Sequence, residues 1–126
     1  MKIEHIAIWS RDIEVLREFY CRHFGCTAGA RYENPTTGFH SYFLSFGEGA
    51  RLEIMQKPGV EEAGRGPACG LAHFAVSVGS EERVRSMTEN LRVQGVRVSG
   101  EPRRTGDGYF ESVVLDPDGN LIEITL

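Results

Sequence analysis

Several things are scarce in this sequence of 126 residues, and each scarcity removes a class of protein. No run approaches the ~18 consecutive apolar residues of a membrane-spanning helix. Basic residues are outnumbered, with Lys+Arg 14 against Asp+Glu 18 and a formal net charge of -4, so the basic stripe of a nucleic-acid binder is missing. Cysteine is sparse and odd in number: Cys21, Cys26 and Cys69 leave one thiol unpaired under any disulfide scheme. Reduced thiols in a cytoplasm are the simpler expectation. The first residues, Met1-Lys2-Ile3-Glu4-His5-Ile6, enter a strand-like pattern at once, and no secretory signal is expected there. No Ser/His/Asp arrangement, activated-thiol signature or nucleotide-binding loop is present.

What remains is an ordinary globular composition, 40% hydrophobic and 25% charged, of a size that fits one domain. Fifteen glycines point to many tight turns and short strands. The most informative pattern appears when the first half is laid over the second. Glu4-His5-Ile6-Ala7-Ile8 matches Ala72-His73-Phe74-Ala75-Val76. A serine follows each strand, Ser10 or Ser80, with acidic residues close behind, as helix N-caps and first turns prefer. Ile13, Leu16 and Tyr20 then recur at helical spacing before Gly25, and Val84, Met87 and Leu91 before Gly95.

Strand-like stretches follow each helix, ending in His40–Phe46 with Arg51–Met55 and in Tyr109–Leu115 with Leu121–Leu126. The segment from Gln56 to Pro67 has no apolar period and reads as a linker. The chain is therefore expected to be a single α+β domain over 1–126. It would hold a βαβββ module over about 1–56, a linker over about 57–69, and a second module over about 70–126. Two such modules must pair their sheets, because one alone buries too little.

The same alignment puts His5 in register with His73 and Glu53 in register with Glu123. Side chains alternate along a strand, so the apolar Ile6, Ile8, Leu52, Ile54, Phe74, Val76, Ile122 and Ile124 define a helix-covered face. His5, Glu53, His73 and Glu123 then share the opposite face, concave if the sheets curve towards each other. A single His or Glu on a short strand is usually solvated; four at repeat-related positions are not explained that way. Clustered carboxylates repel, whereas a divalent cation neutralises them and accepts neutral imidazole nitrogen. The set suits one ion per site, zinc or nickel first, with cobalt, manganese or iron as alternatives.

Other residues carry weaker signals. Asp116-Pro117-Asp118-Gly119 lacks EF-hand spacing and reads as a hairpin turn, as does Gly106-Asp107-Gly108. Arg103-Arg104 and Tyr109 precede a strand of the concave face, and Arg104 and Tyr109 are candidate contacts for an anionic substrate. Trp9, Phe39 and Phe43 have the parity to line an apolar pocket. His23 and His40 lack repeat partners and are expected on the surface or against a helix. Cys21 and Cys26 lack metal-type spacing and read as structural.

With these residues in place, the chain resembles the vicinal oxygen chelate superfamily, which includes glyoxalase I, extradiol dioxygenases, fosfomycin-resistance enzymes, methylmalonyl-CoA epimerase and bleomycin-binding proteins. The resemblance rests on His5-Ile6-Ala7-Ile8, Phe19-Tyr20 before Phe24-Gly25, Gly70 through Val76, and Asp116-Pro117-Asp118-Gly119-Asn120-Leu121-Ile122-Glu123. It implies paired βαβββ modules around a divalent metal, and commonly a homodimer. The order His, Glu, His, Glu is similar to that of bacterial glyoxalase I, which implies a lyase or isomerase moving a proton beside a metal-chelated carbonyl. Glu123 would be the base and Glu53 its symmetry mate. The substrate would be a small molecule with vicinal oxygens. Ile54-Met55-Gln56-Lys57-Pro58-Gly59 departs from the segment usual in glutathione-dependent members, so glutathione use is not implied. The rival readings are a metal-free binding protein of bleomycin-resistance type, and a dioxygenase or thiol transferase on the same scaffold.

Overall fold

The computed structural model describes residues 2–61, 70–106 and 108–126, and shows two mixed β-sheets in two compact units, Met1–Gly64 and Arg65–Leu126. The first unit runs β1 (His5–Trp9), α1 (Ile13–Phe24), β2 (Thr27–Ala28), β3 (Tyr32–Asn34), β4 (Phe39–Ser45) and β5 (Arg51–Gln56). Its sheet has the order β1-β5-β4-β2, with β3 also paired to β4. The second runs β6 (Phe74–Ser77), α2 (Glu81–Val93), β7 (Val98–Arg104), β8 (Phe110–Leu115) and β9 (Leu121–Thr125), in the order β6-β9-β8-β7. In both units the first and last strands pair in parallel and the rest antiparallel. This is the expected α+β class. Cys69 and Asp107, and the end of the expected linker, lie outside the described residues.

The helices form where the apolar period demands, but their starts differ. Asp12, and not Ser10, caps α1: its carboxylate accepts from the Glu14 and Val15 amides at 2.9 and 3.2 Å. Ser10 instead accepts from the Asp12 amide at 3.1 Å, ordering the residue that caps. Ser80 caps α2 as expected, accepting from the Arg83 amide. Gln56 belongs to β5 and not to the linker, and its side-chain oxygen accepts from the Ile13 amide at 3.1 Å. That bond ties the last strand of the unit to its helix. At the other end of α1, Gly25 has φ 65, a left-handed conformation that a side chain would oppose. The end of α2 closes through amide bonds from Gly95 to Arg92 and from Val96 to Leu91.

Alternation then decides what each sheet buries. Ile13, Leu16, Phe19 and Tyr20 of α1 pack with Leu44, Leu52 and Ile54, all buried. In the second unit Val84, Thr88 and Leu91 pack with Phe110, Val114, Ile122 and Ile124. Each fully buried aliphatic side chain contributes about 1.5–3 kcal/mol. The residues of opposite parity on β5 and β9, Glu53 and Glu123, are left on the other face.

The β8–β9 hairpin is closed by backbone bonds from the Asp116 amide to Asn120 and from the Gly119 amide to Asp116, reinforced by one side chain. The Asp116 carboxylate accepts from the amides of Asp118 and Asn120 and from the Asn120 side chain, at 2.8 to 3.0 Å. The turn expected at this position is therefore present.

Candidate metal centre

Each unit builds a histidine–carboxylate pair in the same way. In the parallel β1–β5 ladder Ala7 lies beside Glu53, which puts His5 two residues earlier on the same face. In β6–β9 Ala75 lies beside Glu123, and His73 stands two residues before Ala75. Alanine at both positions leaves the space next to the carboxylate open, and the imidazole leans into it. His5 Nε2 is 3.8 Å from Glu53 Oε2, and His73 Nε2 is 3.3 Å from Glu123 Oε2. The glutamates are largely enclosed, 15% and 19% exposed, and the imidazoles are accessible at 39% and 44%.

These pairs suit a divalent ion. Two donor atoms at ordinary zinc distances on one ion lie roughly 3.0–3.4 Å apart, close to the spacing found in the second pair and a small side-chain rotation from that of the first. Within either unit, among the described residues, no third His, Cys, Asp or Glu completes a metal-binding group. Parity reasoning treated the four residues as one face; the structure distributes them as two pairs on two sheets.

The surroundings of the pairs differ. His5 Nδ1 is 2.6 Å from Glu4 Oε2, while the other oxygen of Glu4 accepts from Arg51 Nε at 2.8 Å. The hydrogen bond to His5, followed by the pairing with Arg51, holds the Glu4 carboxyl below the usual carboxylate range. Phe43, the β4 neighbour of Glu53, meets the His5 ring edge-on at 5.3 Å between centroids. In the second unit Val113 is the β8 neighbour of Glu123. Glu4 and Arg51 were not singled out in the sequence; the available signal was two opposite charges flanking the starts of strands that pair.

The family profile described as Glyoxalase/Bleomycin resistance protein/Dioxygenase superfamily matches residues 2–124. The chain belongs to this superfamily. Solved structures agree in fold. A glyoxalase family protein from Enterococcus faecalis is 24% identical with a TM-score of 0.82, over 99% of this chain and 97% of that one. The trypanothione-dependent glyoxalase I of Leishmania major is 22% identical with a TM-score of 0.79, over 99% and 86%. A V278E mutant of glyoxalase I from Zea mays is 23% identical with a TM-score of 0.83, over 98% of this chain but only 44% of its own. This superfamily domain thus spans less than half of the maize protein. No curated protein matches the sequence significantly.

In this superfamily domain the remaining candidates fall on both faces. Trp9 and Phe39 share the glutamate face of the first sheet, edge-to-face at 6.1 Å, and Phe39 meets Tyr32 at 6.0 Å. Phe43 contacts His5 as described. Arg104 is turned the other way: its guanidinium bonds to Glu81 at the start of α2 and to the Gly108 carbonyl, and it lies near the buried Phe110 ring. It does not join Glu123. Arg103 does have that parity, and bonds the enclosed Glu111 carboxylate at 3.2 Å. The two faces follow from the pairing with β8, where Arg104 lies beside the buried Phe110 and Arg103 beside Glu111; the two one-residue shifts along β7 cancel in parity. Gly100, beside Val113, sits in a tight place: a Cβ there would come within 3.1 Å of the mobile end of Arg103 and 3.2 Å of Val113, and these would have to give by a few tenths of an ångström. Tyr109 is exposed at the β7–β8 connection.

His23 meets Phe19 edge-to-face, ring centroids 5.0 Å apart, and its enclosed Nδ1 has no hydrogen-bond partner among the described residues. Cys21 and Cys26 place their sulfurs 3.6 Å apart at the end of α1, and burial pushes the Cys26 thiol up to about 12. Neither cysteine joins a histidine–glutamate pair. No helix among the described residues is long and apolar enough to cross a membrane.

Proposed function

We propose that the protein is a metal-dependent lyase or isomerase of glyoxalase type, transferring a proton at the carbon next to a carbonyl. The observation that carries this reading is the repeated pair: the same offset across a parallel ladder sets an imidazole beside a carboxylate in both units. His5, Glu53, His73 and Glu123 would together hold one divalent ion, zinc or nickel, whether the two pairs come from one chain or from two copies in a homodimer. When bound, the ion supplies Lewis-acid polarisation of two neighbouring substrate oxygens. Glu123 takes the proton and returns it to the adjacent carbon. Alanine flanks both glutamates on one side, but on the other Val113 beside Glu123 is smaller than Phe43 beside Glu53 and leaves more room for a substrate carbon. Partial enclosure of both carboxylates limits the access of bulk water that would compete for the proton.

The test is exchange of the α-hydrogen of small α-hydroxycarbonyl compounds and hemithioacetals with solvent deuterium, using zinc- or nickel-loaded protein. Glu123→Gln should suppress exchange more than it weakens metal binding. A second reading, sequestration of a planar apolar compound, is favoured by the partly exposed Trp9–Phe39–Tyr32 cluster. No exchange across the panel, together with equal binding of an apolar compound to metal-free protein, would select that reading.

A further inference from the structure

The second nitrogen of His5 meets a carboxylate, Glu4, that has no counterpart at the matching position of the second unit, Ala72. Glu4 lies immediately before β1, yet the chain still follows the ladder there, since the Arg51 amide donates to the Glu4 carbonyl at 2.9 Å. This backbone bond brings the side chains of Glu4 and Arg51 together. Arg51 grips one carboxylate oxygen through Nε at 2.8 Å and Nη2 at 2.5 Å, leaving the other oxygen 2.6 Å from His5 Nδ1. The guanidinium is itself seated over the Phe43 ring at 4.1 Å, and Phe43 abuts His5. Glu4, Arg51 and Phe43 thus form a closed set of contacts around one face and one nitrogen of the imidazole. At the matching positions of the second unit stand Ala72, Leu121 and Val113, which can make none of these polar contacts.

We propose that Glu4, braced by Arg51, is a positioning residue that holds neutral His5 in the tautomer protonated on Nδ1, with Nε2 left free on the Glu53 side. The tautomer of an imidazole is set by the bond its other nitrogen makes, and a carboxylate in that position also fixes the ring's orientation. Its consequence for metal affinity rests on the proposed function; its consequence for the tautomer does not. The first unit therefore carries a preorganising set that the matching positions of the second unit, Ala72, Leu121 and Val113, do not repeat. An exposed ion pair adds little to stability, so the role of Glu4 is geometric.

Long-range ¹H–¹⁵N NMR of metal-free protein, above the ordinary imidazole range, reads the tautomer directly. His5 should be protonated on Nδ1 in the wild type and should lose that preference in Glu4→Ala. Glu4→Gln, which keeps an acceptor oxygen, should retain it, and Arg51→Ala should shift it partway. Zinc titration should then show affinity reduced by about 10–100-fold in Glu4→Ala, with Glu4→Gln close to wild type and melting behaviour unchanged in both. A wild-type His5 protonated on Nε2, or a Glu4→Ala spectrum identical to wild type, overturns the proposal. So does a loss of zinc affinity without a change of tautomer. A wild type that binds no zinc but shows the expected tautomers overturns the proposed function while supporting the positioning role.

Discussion

The two units solve the same backbone problem with different side chains. Register is identical, with alanine beside glutamate and histidine two residues back, but the first unit surrounds its pair with an aromatic ring, an arginine and a second carboxylate. Its core follows suit. Tyr20 fills the centre beneath α1, and at the corresponding turn of α2 stands Thr88, which bonds Ser112 at 2.7 Å and the Val84 carbonyl at 2.6 Å. The contrast teaches that ladder register and small neighbours suffice to place the pair, while packing and polar support are free to diverge around it.

The largest expected effect concerns whether both halves are needed. His5→Ala and His73→Ala should each abolish stoichiometric metal in purified protein, as read by elemental analysis, with the circular dichroism spectrum unchanged. Full metal content in either variant would break the equivalence of the two pairs. Next in size is the core: Tyr20→Ala should cost about 3–5 kcal/mol in urea unfolding, through the cavity it leaves, and Thr88→Ala about 1–2 kcal/mol. Ser112→Ala alone should cost about 1 kcal/mol, and the double variant Thr88→Ala with Ser112→Ala less than the sum of the two singles, because no buried hydroxyl is then stranded. Strict additivity would mean that the hydroxyl pair is not coupled.

A smaller effect separates the units by pH. Burial, reinforced by the charge of Arg22, holds the His23 imidazole below its ordinary value of 6.5. Between that value and the depressed one, the unfolded chain binds more protons than the folded one, so stability is lost as pH falls through this window. Lower still, Glu14 contributes in the same direction. Its carboxyl is held below 4.5, chiefly by the Tyr42 hydroxyl at 2.8 Å and also by Arg17, and its contribution disappears as pH falls through the depressed value. His23→Leu, which copies Leu91 of α2, should flatten the upper window and leave the lower one intact, as followed by thermal melts across pH. A variant with an unaltered upper slope would assign that loss to another group.

Much of this organisation was legible in the sequence because it depends on period and order alone. Leu52 and Ile54, or Ile122 and Ile124, announce by alternation that Glu53 and Glu123 face away from the helices, and the structure agrees. What was not legible depends on geometry finer than alternation. Asp12 displaced Ser10 as the α1 cap because the helix begins later than the first capping side chain. Arg104 turned towards α2 because it pairs with Phe110 on the helix-covered side of β8, a register that composition and order do not reveal. The bracing of His5 by Glu4 and Arg51 requires knowing that β1 lies parallel to β5, a pairing between residues far apart in the chain.

The Asp116 turn has a consequence in time. A hairpin whose turn is reinforced by its own side chain can form within about 1–10 μs, before distant strands must find each other. β8 and β9 are joined this way, whereas the parallel partner β6 must arrive across the whole of α2 and β7. Closing such a loop before contacts reward it is slow. The carboxylate half of the second pair should thus be in position early, and its histidine half last. Asp116→Ala is expected to slow refolding nearly in proportion to the stability it removes, and Val76→Ala chiefly to hasten unfolding. Glu123 would then spend the late stages of folding on a finished hairpin, waiting for the strand that follows His73.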